Sequence, residues 1–177
     1  MPYTLNGVTF LGPVRDAGAR TKIWNIKYQE ENLIAKLGDV WNEKNIVKEL
    51  LHESQIYTVL QKLQGDVIPY LKYSGVVYGV YILATSICGQ SLEKVNLSSF
   101  EFDEIQDKAW TGLERIHSLG VLHGDIRPQN IIWNSQTRRV YWIDFGFSRQ
   151  NFKPEESIEE QNTFKTLFGE LLKQSTC

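Results

Sequence analysis

The chain is poor in the features that tether a protein to a membrane or cross-link it from outside. Two cysteines in 177 residues, Cys88 and Cys177, are too few for a disulfide framework. Packing has to supply the stability, and a reducing compartment is the expected setting. No stretch reaches the roughly 18 apolar residues that a membrane span needs, and the opening MPYTLNGVTF has no basic region followed by an apolar run. Neither sign of charge dominates: 19 Lys and Arg stand against 21 Asp and Glu, a net charge of −2, which gives no reason to expect nucleic acid or an anionic membrane as a partner. Internal repeats and low-complexity tracts are absent. The expectation is a cytoplasmic globular protein: 42% hydrophobic and 23% charged residues suit one domain, or two small lobes sharing a core.

What is present concentrates in residues 121–146, VLHGDIRPQNIIWNSQTRRVYWIDFG. The run contains His123-x-Asp125-x-x-x-x-Asn130, an apolar stretch Ile131-Ile132-Trp133, a polar turn, a second apolar stretch from Val140 to Ile143, and Asp144-Phe145-Gly146. Two short strands joined by a polar turn read as a hairpin. It brings together the residues just outside its ends, Asn130 and Asp144. An oxygen pair of that kind suits Mg²⁺, which takes one or two protein carboxylates and fills its other positions with phosphate and water. Asp125, on the loop entering the hairpin, is positioned to orient a substrate hydroxyl and accept its proton. Taken singly, each residue has a plain structural reading: a turn cap, a core histidine, a loop end. Their joint order and spacing carry the argument.

That string resembles the protein-kinase-like superfamily, with His123-Gly124-Asp125 in the place of the catalytic-loop His-Arg-Asp and Asp144-Phe145-Gly146 in the place of the metal-binding triplet. The resemblance implies ATP and Mg²⁺ as cofactors, Asn130 and Asp144 as metal ligands, and Asp125 as the residue facing the acceptor. Arg127 stands where many relatives have a lysine, and either contacts the γ-phosphate or pairs structurally. The implied fold is α+β and two-lobed, with a five-stranded antiparallel small lobe plus a helix (1–84), a hinge (85–91) and a truncated, mainly helical large lobe (92–177).

Val8 to Leu11, closed by Gly12-Pro13, then Thr21 to Tyr28 and Asn32 to Leu37 read as strands. The turn from Gly12 to Gly18 departs from the Gly-x-Gly-x-x-Gly spacing, and its glycines read as turn glycines. Lys36 ends Leu33-Ile34-Ala35 much as the third kinase strand ends in lysine. Asn45 to Leu63 has helical spacing, and Glu53, three residues before Ile56-Tyr57, is the implied partner of Lys36, with Glu49 as the competing candidate. Val67 to Tyr73 and Val76 to Ala84 read as a hairpin around Ser74-Gly75. Phe102 to Leu119 is an amphipathic helix stopped by Gly120. All five tryptophans are assigned to core packing.

After Gly146 there is room for one helix, about Glu156 to Lys173, with Phe164, Leu167, Phe168 and Leu171 inward. Gly124 replaces the arginine that reads a phosphorylated activation loop, so phosphorylation of Ser148 or Ser157 is expected to leave activity unchanged. The resemblance is to the compact, atypical branch: the small kinase subunit of the tRNA threonylcarbamoyladenosine complex, RIO-like kinases and lipopolysaccharide kinases. An ATP-dependent phosphotransferase acting on a Ser/Thr hydroxyl, with a substrate or partner protein completing the acceptor side, is the leading expectation. A nucleotide-binding pseudokinase or regulatory subunit is the alternative, and a small-molecule kinase the third.

Overall fold

A computed structural model describes residues 3–5, 7–14, 21–95 and 99–175. Most of the turn that ends at Gly18 lies outside them, as does Cys177. Tertiary contacts divide the chain into two units, residues 1–55 with 70–87, and residues 56–69 with 88–177. The division is discontinuous in sequence and falls inside the first helix.

The first unit is an antiparallel sheet with helix packing on it. Its strands are β1 (Tyr3–Leu5), β2 (Val8–Pro13), β3 (Lys22–Tyr28), β4 (Glu31–Asp39), β5 (Leu71–Val77) and β6 (Val80–Ser86), in the order β1-β2-β3-β4-β6-β5. The five expected strands are all there, and β1 adds a sixth at the edge. Period-2 alternation sorts the side chains of β4. Leu33, Ala35 and Leu37 join Val8, Ile26, Ile82 and Ala84 in a buried apolar cluster. Lys36, between them in sequence, faces the other way. On that side α1 (Lys44–Val59) packs Leu50 against Tyr81 and Leu83.

Several expected boundaries move, among them the start of β5, which is at Leu71 and not at Val67. β2 continues through Gly12-Pro13, because a bulge between Phe10 and Gly12 takes up Leu11 and lets pairing resume at Gly12↔Asn25. The second hairpin turns at Tyr78-Gly79, not at Ser74-Gly75. Val77 pairs with Val80, which leaves a two-residue loop whose members both have positive φ, 46° and 79°. Such turns match the twist of the flanking strands, while Gly75 sits inside the ladder opposite Ile82. Trp41 also departs from expectation. It is 77% exposed, lies over Gly79, and is no part of the core.

The second unit gathers β7 (Gln90–Ser91), α2 (Ser99–Ser118), β8 (Val121–Leu122), β9 (Ile131–Asn134), β10 (Arg139–Trp142), β11 (Arg149–Gln150) and α3 (Pro154–Ser175). One sheet has the order β10-β9-β7, and β11 pairs with β8. One face of α2 is buried: Ile105, Ala109, Leu113 and Ile116, with Phe102 at its start. Gly112, on the same helix, lets the Trp142 ring come close, and the indole N–H donates to Ala109 O at 3.0 Å. Helix α3 begins at Pro154, with Glu156 Oε2 accepting from the Lys153 N–H at 2.8 Å, half of a capping box. Its Phe164 and Phe168 are buried against Trp142 and Phe102, while Leu167 and Leu171 are only half-buried.

Tyr78 is bulky, 81% exposed and in left-handed backbone, a conformation that costs a non-glycine residue about 1 kcal/mol or more. Asparagine tolerates that region. Tyr78→Asn is expected to raise the unfolding free energy by up to about 1 kcal/mol in denaturant titration; no gain would mean that the turn is not strained.

Candidate functional site

The hairpin at the centre of the second unit is set by its own turn. Asn134 Oδ1 accepts from the N–H groups of Gln136 and Thr137 at 3.1 and 3.0 Å, folding the four-residue loop between Asn134 and Arg139. At the open end, the Ile143 N–H donates to Asn130 O at 3.0 Å. Asn130 and Asp144 are therefore brought to one end of the hairpin. Asp144 has φ 67°, which turns the chain sharply and sends Phe145 into the core between the rings of Tyr57 and His123.

Asp125 is held from two sides. Asn130 Nδ2 donates to the Asp125 carbonyl at 2.9 Å and to its Oδ2 at 2.8 Å. Arg127 Nε lies 2.9 Å from the same Oδ2, and its Nη2 stands 3.9 Å from Asp144 Oδ2. Of the two roles weighed for Arg127, carboxylate pairing is the one with a contact in the structure. Below the loop, His123 is fully buried, and burial pushes its pKa down, against the pull of Glu160 and of the Ile143 carbonyl. The ring is thus neutral at pH 7, with Nε2–H donating to Ile143 O at 3.0 Å and Nδ1 accepting from the Asp125 N–H at 3.3 Å.

The loop's main support comes from a residue that the sequence reading passed over. Glu160 of α3 accepts from the Gly124 N–H at 2.6 Å with one oxygen, and from the His123 N–H at 3.0 Å and His117 Nε2–H at 2.6 Å with the other. Burial raises the pKa of this carboxyl, but the hydrogen bonds from His117, Gly124 and His123 outweigh it and hold the group below the usual range. The signal was available: Glu160 lies four residues before Phe164 and eight before Phe168, an acid in line with the buried face of an amphipathic helix.

Gly124 and Ser148 complete the arrangement. Gly124 has φ 82°, and a Cβ there would stand 2.2 Å from Phe147 O, so no other residue fits. Ser148 is buried, and its hydroxyl donates to His123 O at 2.8 Å. The expectation that phosphorylating Ser148 is harmless is thereby corrected, because a phosphate there loses that bond and has no room. Ser157, whose hydroxyl donates to Pro154 O at the surface, raises no such objection.

In the first unit Lys36 and Glu53 meet as expected, the ammonium 2.9 and 2.8 Å from the two carboxylate oxygens. Glu53 is nearly fully buried, so the pair holds its geometry with little solvent screening. The donor set in the second unit fits a hard cation. Asn130 spends its amide N–H groups on Asp125, which leaves the amide oxygen, with the Asp144 carboxylate, as hard oxygen ligands of the kind Mg²⁺ takes.

A carboxylate fixed on a loop, a second delivered by a hairpin, and a buried Lys–Glu pair on a sheet and helix define a kinase-like protein. Comparison with known families agrees: the protein kinase domain family matches residues 12–175, and the chain belongs to it. Over 109 residues the chain is 31% identical to the meiotic driver SPOK2 of Podospora anserina, a match that covers 56% of this chain and 13% of that protein. The chain thus spans a small part of that relative's length.

Two outcomes follow for stability. Glu160→Ala leaves two backbone N–H groups and His117 without their acceptor, and is expected to cost roughly 3 kcal/mol in chemical denaturation; a cost near zero would show that water replaces the carboxylate. His123 has a folded-state pKa below the ordinary 6.5, so the unfolded chain takes up the proton first. Its contribution is complete above about pH 6.5 and is lost as pH falls below that value toward the folded pKa. Unfolding titrations below pH 6.5 are expected to show stability falling in the native protein and a flatter curve in His123→Gln.

Proposed function

We propose that the protein is a Mg-ATP-dependent phosphotransferase that moves the ATP γ-phosphate to a Ser/Thr hydroxyl. The observation that carries this reading is the Asp125 carboxylate, fixed by Asn130 at 2.8 Å and by Arg127 at 2.9 Å on a loop whose neighbours are locked by Glu160. A residue restrained to that degree is pre-organised for one chemical task. Asp125 orients the acceptor hydroxyl and takes its proton as the oxygen bonds to the γ-phosphorus; the bond to the β,γ-bridging oxygen breaks, and ADP leaves. Asn130 and Asp144 are the residues to hold the metal. Bound Mg²⁺ supplies neutralisation of the charge on the transferring group.

In the first unit Lys36, its ammonium fixed by Glu53, offers a positive charge to the nucleotide phosphates. Arg127 is 49% exposed at its side chain, so it can leave the carboxylates for the transferred phosphate at small cost.

The test is release or transfer of γ-phosphate by the purified protein, with and without Mg²⁺. Metal-dependent turnover is expected, reduced at least a hundredfold by Asp125→Ala, in the usual range for loss of a positioned acid–base group, and abolished by Asp144→Asn. Undiminished turnover in Asp144→Asn sinks the metal assignment. ATP binding with no turnover in the native protein would favour a nucleotide-binding regulatory module.

A further inference from the structure

Helix α3 has a second face, directed away from Phe164 and Phe168, and it borders the catalytic loop. Ile126, the residue after Asp125, forms one wall of a cavity of ≈ 490 Å³; Glu159, Asn162, Thr163, Leu167 and Glu170 of α3 form the other. No lysine, arginine or histidine lines it. Glu159 and Glu170 have no ion pair among the described residues, whereas Glu156 on the same helix is tied to Arg149 at 2.8 Å and Glu160 is spent on the catalytic loop. The Thr163 hydroxyl gives its hydrogen to Glu159 O at 3.0 Å, so only its lone pairs remain for a visitor. Ile126 and Leu167 supply apolar surface between these groups. The lining is therefore rich in acceptors, negative at both ends and apolar in the middle, and it starts one residue from the carboxylate proposed to face the acceptor.

Resting on the phosphotransferase reading above, we infer that this groove seats the acceptor, a polypeptide segment with two cationic side chains about five residues apart and an apolar side chain between them. The spacing comes from the helix. Glu159 and Glu170 are eleven residues apart, about 16 Å along the axis at roughly 1.5 Å per residue. An extended segment covers that in about five residues at roughly 3.3 Å each. The hydroxyl to be phosphorylated lies at the Glu159 end, because the neighbouring Glu160 is the residue that grips the loop carrying Asp125.

The probe is a fluorescein-labelled dodecapeptide with one serine, one leucine and two lysines five positions apart, compared by polarisation with its Lys→Glu counterpart. Peptides are made with the serine beside either lysine, to read direction. The lysine peptide is expected to bind roughly tenfold more tightly, the size expected of two exposed ion pairs, and to weaken as salt rises. Glu159→Gln with Glu170→Gln is expected to remove the difference, and Glu159→Lys with Glu170→Lys to invert it, thermal unfolding serving as the check that both variants are folded. Equal binding of the two peptides, or no response to the substitutions, overturns the inference. So does a concentration-dependent dimer dispersed by Glu159→Lys with Glu170→Lys, since the groove then seats a second copy.

Adding Mg-ATP separates the two readings. Charge-selective binding without transfer to serine condemns the phosphotransferase and leaves the groove standing. Transfer that ignores peptide charge does the reverse.

Discussion

One carboxylate organises the second unit. Two successive backbone N–H groups, those of His123 and Gly124, point the same way because Gly124 is in left-handed backbone, and together they make a small anion-binding concavity. Glu160 fills it from a helix 37 residues away in sequence from His123. A neutral acceptor satisfies one donor well; a carboxylate satisfies both and has capacity left for His117. The loop with Asp125 is consequently not held by its own turn alone. Its position is inherited from α3, and α3 is held in turn by Phe164 and Phe168 against α2 and Trp142. Packing of aromatic rings and placement of a polar loop are thus one mechanical system.

Charge is handled differently on the loop itself. Asp125 and Asp144 both direct carboxylates toward Arg127, at 2.9 and 3.9 Å. Two carboxylates facing one another repel if left alone. A guanidinium between them removes the conflict while remaining solvent-accessible, so another cation can take over the task. The Lys36–Glu53 pair has the opposite design: its glutamate is nearly inaccessible, and opening the contact strands a buried charge. One ion pair is built to be exchanged, the other to stay.

Much of this was legible in the sequence, and each exception has a physical origin. The hairpin between Asn130 and Asp144, α2 and the Lys36–Glu53 contact rest on local spacing or on residue types with few alternatives, and they lie where expected. The turn at Tyr78-Gly79 was hidden because Ser74-Gly75 offers a more ordinary turn signal three residues earlier; only cross-strand pairing, Val77 with Val80, decides between them. Trp41 was misjudged because hydrophobicity says what a side chain gains by burial, not whether the fold provides a place for it. Ser148 and Glu160 were missed for a further reason. Each serves backbone atoms of a distant segment; the place of Glu160 on the buried face of α3 was visible, but its backbone partners leave no trace in residue type.

Gly124 has a consequence for how such a protein can change. The volume that a side chain there would fill is taken by the backbone of Phe147, a segment just past the Asp144-Phe145-Gly146 turn. A side chain at position 124 and the close return of the chain at Phe147 therefore exclude one another, a single steric fact. Any substitution there collides with main chain unless the segment after the turn is moved first, so the molecule is confined to its present form at this point by excluded volume.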